Sequence, residues 1–345
     1  DAERAKPTFP IDAISDLGFS FHEFFIEKFL GHLKPSLQPF RYLKMVEIIE
    51  LYYEIKNFRD ITFKPVQEPE TFTYDTQPKY YRFKDKKKYE ILKFDIVSGK
   101  TFDLRNFNNK KLEKNIKESD FVFFLAFDVG GSRYLKKYQK TFQFIINNLL
   151  IMGNVFRLLS KHKKKFIFAS SQMSNMDFSS YGTLKRLGEN ITTSLNCKYV
   201  KCWNVYGIEK DIEKSHVITD FVLMALKKKR INMLTNGEES REFLYADDCS
   251  EGLFRIMKNF NFFTKNNKEL HLTSSKKIKI IKIAQIIKKI LRKRNINIQI
   301  NPSNKRDELQ NNTNNLSNNY FFKYWKPKYQ IEQGIKKIID YYQKT

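Results

Sequence analysis

A doubly wound α/β fold is what this 345-residue sequence predicts: a parallel sheet with helices on both faces, followed by a smaller C-terminal α/β lobe. Three observations predict it. The apolar runs at 121–126 (FVFFLA) and 166–169 (FIFA) are continuous rather than alternating, as in strands buried on both faces. Segments with helical apolar spacing alternate with such runs, and strand–helix–strand alternation builds right-handed crossovers in a parallel sheet. At roughly 150 residues per domain, the length suggests about two domains or one large fold with a lobe, enough to bury a core without disulfides or metal.

Residues 1–88 are an atypical opening. They are aromatic-rich and carry no clear motif, although 11–30 admits a strand, a turn at Gly18 and a helix. From residue 89 the pattern becomes legible. A strand is expected at 89–96 and a helix at 109–117. The run 121–126 follows as a strand, 134–160 as one long helix and 166–169 as the next strand. A helix at 181–195 and a strand at 199–205 complete the alternation. After Gly207 the character changes. Helices are expected at 217–229 and 248–258, with short strands at 230–234 and 242–245. A basic amphipathic helix spans 278–292, an Asn-rich loop 311–319 and a closing helix 331–343. The resulting division is 1–88, a core at 89–207 and a lobe at 208–345.

Composition narrows the function. Hydrophobic residues make up 41% and charged residues 29%, which fits a globular chain and argues against wholesale disorder. Against 63 Lys+Arg stand 38 Asp+Glu, a net charge of +25. The basic stretches at 163–165, 227–230, 276–282 and 288–294 are spread along the chain, without a helix-turn-helix, zinc-finger or RNP-type signature. They read as a solvated basic surface, and no specific nucleic-acid partner is expected. Cys197, Cys202 and Cys249 form no CxxC pair and have no His cluster beside them, so no metal site is expected and a reducing, cytoplasmic compartment is. No run of about 18 apolar residues and no signal-peptide pattern occurs, so no membrane partner is expected. The sequence begins at Asp1 rather than Met, which leaves room for residues before it.

The chemistry concentrates in 166–189, FIFASSQMSNMDFSSYGTLKRLGE. A buried strand ends in Ser170 and Ser171, and Tyr181 and Lys185 follow four apart, on one face of a helix. Oxidising an alcohol by hydride transfer also requires a base for the hydroxyl proton. A tyrosine becomes that base when a nearby ammonium stabilises its phenolate. A serine hydroxyl can bind the same oxygen. Tyr181 and Lys185 alone would equally suit a packed tyrosine beside a solvated lysine. The strand ending in Ser-Ser, the Gly-Glu after the lysine and the strand YVKCWNVYG beyond them favour the catalytic reading.

With these motifs in their order, the sequence resembles the extended short-chain dehydrogenase/reductases, the NAD-dependent epimerase/dehydratases of nucleotide sugars, over about 89–345. FVFFLAFDVGG resembles the Rossmann-like strand whose Leu125 and Ala126 lie along the cofactor. Its Val129-Gly130-Gly131 is similar to the GDP-fucose synthase and GDP-mannose epimerase branch. WNVYG resembles the Asn-x-Tyr-Gly turn beside nicotinamide and sugar. HVITDF resembles the segment opening a substrate lobe, GEESREFLYADDC the hairpin whose Arg241 grips the diphosphate, and KRDEL with the 325–339 stretch the C-terminal close. The resemblance implies NAD or NADP as cofactor, a nucleoside-diphosphate sugar as substrate and a homodimer through helices near 134–160 and 181–195. It implies Ser171, Tyr181, Lys185 and His216 as catalytic residues. Cofactor contacts would come from Gly18, Asp103, Leu125, Ala126, Ser170, Tyr181, Lys185, Asn204 and Val205. Substrate contacts would come from Gly130, Gly131, Asn204, His216, Arg241 and Arg306.

Three departures shape the expectation. Of the family's GxxGxxG turn, which lets a helix N-terminus approach a pyrophosphate, 15–21 keeps only Gly18 and adds Asp16. The gap between Ser171 and Tyr181 is short, implying a more open sugar site. Gln172 and Met173 follow Ser171 where dehydratases carry Asp and Glu, which disfavours elimination. The function expected is epimerisation through a transient keto sugar. Keto-sugar reduction and a catalytically degenerate binding or scaffold subunit are the alternatives.

Overall fold

Apolar runs with no polar alternation have to be covered on both sides, and the computed structural model shows how. It describes residues 89–266, 268–307 and 315–344, all within one unit, Glu70–Thr345. The turn expected around Gly18, and part of KRDEL and of the Asn-rich loop, lie outside the described residues. After helix α1 (Lys110–Glu118) comes strand β1 (Phe121–Phe124). Helices α2 (Ser132–Tyr138) and α3 (Phe142–Lys161) cross to β2 (Lys165–Ser171), and α4 (Ser180–Ser194) crosses to β3 (Lys198–Cys202). Pairing is parallel throughout, with Phe124 beside Phe168 and Ser171 beside Cys202. The chain then leaves through β4 (Val205–Tyr206), α5 (Val217–Lys228), β5 (Arg230–Asn232), β6 (Ser240–Glu242), β7 (Leu244–Tyr245), α6 (Ala246–Lys258) and α7 (Phe260–Lys265). It returns as β8 (Leu270–Leu272), parallel to β3, so the sheet order is β1-β2-β3-β8. This is the predicted Rossmann-like α/β architecture.

Side-chain caps set the helix starts. Asn109, Thr141 and Ser179 accept from the backbone N–H of Leu112, Phe144 and Gly182. Thr141 explains a departure: the single helix expected at 134–160 is two, because the cap restarts the helix after a break at 139–141. Helix α3 is long and apolar enough to cross a membrane by length and composition, contrary to the sequence reading, yet 56% of that window is buried inside the protein. Phe156 packs tilted on Phe166 and Phe168 of β2, so its apolarity is that of a helix lying on a sheet. On α4, a Cβ added at Gly188 would lie 2.4 Å from the Phe168 ring, so only glycine brings this helix so close to β2.

Other boundaries shift. No strand forms at 89–96, where the chain runs irregularly into a 3-10 turn, Ile96–Ser98. The strand expected at 199–205 breaks because Asn204 has φ of 31°, a left-handed conformation that asparagine tolerates better than most residues. The strand expected at 242–245 divides between β6 and β7, which belong to different sheets. Helix α7 and strand β8 were not expected; Phe263 and Leu270 bury them in the core beside Ile167 and Val200.

The C-terminal lobe pairs β5 with β10 (Gln299–Asn301) in parallel and β6 with β9 (Lys277–Lys279) antiparallel. Helix α8 (Ile280–Arg292), α5 and α9 (Ile331–Tyr342) share an apolar core in which Ile283, Ile287, Val222, Ile335 and Ile338 are buried. The basic residues of α8 stay on its outer face, as the amphipathic spacing predicts.

Candidate active site

At the carboxyl end of β2, Ser171 caps a 3-10 turn (Gln172–Asn175), its Oγ accepting from the Met173 N–H at 3.2 Å. Accepting there leaves the hydroxyl proton to donate to a ligand oxygen. Helix α4 begins beside this turn and presents Tyr181 and Lys185 on one face, both almost fully buried. The Lys185 ammonium lies 5.8 Å from the Tyr181 ring centroid, donates to the Ala169 carbonyl at 2.6 Å, and sits 3.7 Å from the Phe127 ring centroid. Burial pushes its pKa down to about 7, against weaker opposing pulls from Cys202 and Glu189.

Behind the serines runs a buried polar chain. Ser170 Oγ donates to Glu189, whose carboxyl burial holds above the usual range. Glu189 Oε2 lies 3.8 Å from Lys201 Nζ, which also meets Glu269 Oε1 at 2.9 Å and donates to Asn175 Oδ1 at 3.0 Å. His271 Nδ1 accepts from Trp203 Nε1 and from the Asn318 N–H, so its proton lies on Nε2, 3.2 Å from Glu269 Oε2. The hydrogen bond from His271 is the largest cause holding the Glu269 carboxyl down at about 2. Glu189 was visible only as the acid after Lys185. Lys201, Glu269 and His271 gave no local signal, because β3 and β8 meet only through pairing.

Trp203 faces a cavity of about 510 Å³ that Asn204, Arg241 and Arg306 also line. Three expected ligand residues therefore share one space. Arg241 does not stand open in it: its guanidinium pairs with Asp307 and donates to the Ser240 carbonyl at 2.8 Å. Burial lowers its pKa, which the Asp307 charge opposes. Asn204 Nδ2 donates to the Glu242 carbonyl at 3.2 Å. Gln172 is held by Asn315, which donates to its carbonyl at 2.7 Å. A second, smaller cavity of about 40 Å³ joins Asp103 and Ala126. The Asp103 carboxylate is forked by Arg105, with Oδ2 2.7 Å from Nη2.

The remaining expected residues stand elsewhere. Leu125 packs into the core with Ile167 rather than lining either cavity, and Val205 pairs through its backbone with Leu244. At Gly130 and Gly131 other parts of the chain approach closely. A Cβ on Gly131 would lie 2.2 Å from the Ser215 carbonyl oxygen, and the Gly131 N–H donates to Lys214 at 2.8 Å. His216, next in that segment, lines neither cavity. Its Nδ1 lies 2.5 Å from Glu209 Oε1. Burial is the largest single influence and lowers its pKa, but the Glu209 carboxylate, with Asp220, holds it raised overall. Among the described residues no His, Cys, Asp and Glu cluster could hold a metal.

A parallel sheet whose strand ends in serines beside a helix bearing tyrosine and lysine defines the short-chain dehydrogenase/reductase class. Within it, the sequence profile of the NAD dependent epimerase/dehydratase family matches residues 73–268, more than half of the chain, and the chain belongs to that family. The chain is 23% identical over 167 residues to UDP-glucuronic acid decarboxylase 2 of Arabidopsis thaliana, covering 47% of this chain and 36% of the relative. It is 26% identical over 145 residues to UDP-glucuronic acid decarboxylase 1 of Danio rerio, covering 42% and 33%. It thus spans about a third of the length of the curated relatives it matches. A UDP-glucose 4-epimerase from Thermotoga maritima, solved with UDP-glucose, superposes with a TM-score of 0.56 at 17% identity, covering 70% of this chain and 82% of that one. A GDP-6-OMe-4-keto-L-xylo-heptose reductase from C. jejuni superposes with a TM-score of 0.59 at 20% identity, covering 70% and 87%. At these identities the superpositions show the shared fold.

Proposed function

We propose that this chain acts on a nucleoside-diphosphate sugar, oxidising one ring carbon to a ketone and reducing it again, with net epimerisation. The observation that carries this is Tyr181 and Lys185 on one face of α4 beside Ser171 at the end of β2. The donor set fits a dinucleotide: a buried ammonium and a tyrosine at the strand ends, the Ser170–Ser171 pair beside them, and the small residue Ala126 with the Asp103 carboxylate at the other cavity. Gly18, the remaining cofactor residue expected, lies outside the described part. NAD or NADP, when bound, supplies the hydride acceptor and donor for the sugar carbon. The chain's residues do the rest. Tyr181 removes the hydroxyl proton and returns it, Lys185 stabilises the phenolate, and Ser171 orients the hydroxyl. Arg241, exchanging Asp307 for phosphate oxygens, and Arg306 hold the diphosphate, and Asn204 faces the sugar. His216, paired with Glu209 and outside both cavities, takes no part in these steps. Three free thiols suit a reducing, cytoplasmic compartment, and pairing through α3 and α4 would give a homodimer.

The decarboxylase relatives favour a second reading on the same site. A ketone placed next but one to a sugar carboxylate makes loss of carbon dioxide easy, so the first step would be shared. Incubation with NAD and UDP-glucose, and separately with UDP-glucuronic acid, distinguishes them by product mass. An epimer of unchanged mass is the expected product, and loss of carbon dioxide would replace the epimerase reading by the second. Oxidation of NADPH by a 4-keto sugar nucleotide, with the alcohol accumulating, would identify the reductase alternative. Binding of UDP-sugar with no conversion would identify a degenerate subunit.

A further inference from the structure

We propose that Phe127 caps the cofactor site: its ring covers the Lys185 ammonium and must turn aside for a dinucleotide to reach it. This rests on the cofactor reading above. An ammonium has three N–H directions. For Lys185 one goes to the Ala169 carbonyl at 2.6 Å, and the Phe127 and Phe168 rings cover the ammonium at 3.7 and 4.8 Å from their centroids. The carbonyl and the two rings thus enclose the ammonium within the protein, and the Phe127 ring is the nearer cover. Cation–ring contact of this kind is favourable in a desolvated site, so the capped arrangement is self-sustaining.

Phe127 also walls off the neighbouring space. It is 0% exposed, stands edge-on to Tyr181 at 5.7 Å, and on its other side lines the cavity of about 40 Å³ shared with Asp103 and Ala126. That space takes a few waters and is too small for a sugar. Turning the ring out would join this cavity to the Lys185 ammonium and open one continuous channel. The backbone would not need to follow. The next residue is pinned on both sides, with the Asp128 N–H donating to Asn148 Oδ1 at 2.5 Å and the Asn148 amide donating to the Asp128 carbonyl at 3.0 Å. Rotation about the Phe127 side-chain bonds is therefore the movable element. A lysine held so low in pKa is partly a free amine near neutrality, and reacts with electrophiles once uncovered.

The test compares the wild-type chain with Phe127→Ala and with Phe127→Leu, which keeps apolar bulk should the alanine variant fail to fold; melting curves establish that each is folded. Two readouts are taken: NADH affinity by nicotinamide fluorescence, and the rate at which trinitrobenzenesulfonate modifies Lys185, followed by peptide mass mapping. In a folded variant, NADH binding at least about tenfold tighter and Lys185 modification at least about tenfold faster are expected, with NAD slowing the modification. Lys185 modified as fast in the wild type as in both folded variants would overturn the proposal. So would NADH binding that weakens when the ring is removed. If NADH binds to none of the three chains, the cofactor reading fails. The cap is then decided by the modification rates alone, faster in the variants supporting it and unchanged rates refuting it.

Discussion

In the proposed mechanism Tyr181 carries the chemistry and Lys185 its electrostatics, and two substitutions separate these roles. Tyr181→Phe keeps the ring that packs on Phe127 and removes the acid/base group. Turnover should fall by about a thousandfold or more, while NADH affinity stays within about twofold. Surviving turnover would remove Tyr181 from its role. Lys185 has a second, thermodynamic signature. Its folded-state pKa is about 7 against an ordinary 10.5. Between those values the unfolded chain holds a proton that the folded chain has released, so this group's contribution to stability rises with pH across the window. Melting temperatures followed across that window should lose part of their upward slope in Lys185→Met. Lys214, which burial holds at about 8, leaves a residual slope. At this scale the serine–tyrosine–lysine trio was legible because its members lie on adjacent local elements. Phe127 was not, because its contact with Lys185 spans two elements and no short-range pattern encodes it. Asp307 escaped for the same reason: it neutralises Arg241 from a different part of the lobe.

Elements were legible where a single face dictates them. Continuous apolar runs gave β1 and β2, and helical spacing gave α4, α8 and α9. Failures came where a single residue's backbone or cap overrides periodicity. Thr141 restarts a helix that apolar spacing alone would continue, and Asn204 turns the chain out of β3 at positive φ. Strand β8 is too short to announce itself; its pairing with β3 fixes it. The loop after β1 depends on Gly131 in a way that can be measured. Gly131→Ala places a methyl 2.2 Å from the Ser215 oxygen. It should cost at least about 1–3 kcal/mol, read as a lower urea midpoint with an unchanged slope. A variant as stable as the wild type would mean that the 214–216 segment gives way.

For the whole molecule, part of the +25 charge is taken up inside the fold. Lys185, Lys201, Lys214 and Arg241 are buried or half-buried and engaged with carbonyls, carboxylates or rings. The cations at 227–230 and 288–293 lie exposed at helix ends, where they complement the negative end of the helix dipole. A surface of that kind should bind random DNA only weakly, and a gel shift surviving about 0.2 M salt would contradict it. Fold class and family were legible because ordered motifs along one chain constrain topology together. The substrate was not, because the cavity near 510 Å³ is lined by Gln172, Trp203, Asn204, Arg241, Lys277, Arg306 and Asn315 among others, which sequence order keeps far apart.

The most direct test of the central claim is conversion of UDP-glucose by the purified chain with NAD, compared with Tyr181→Phe and followed by product analysis. The wild type should form an epimer of unchanged mass with no net reduction of the cofactor, and Tyr181→Phe should bind NADH but form none. Equal product from both chains, or tight binding of the sugar nucleotide with no chemistry in either, would contradict it.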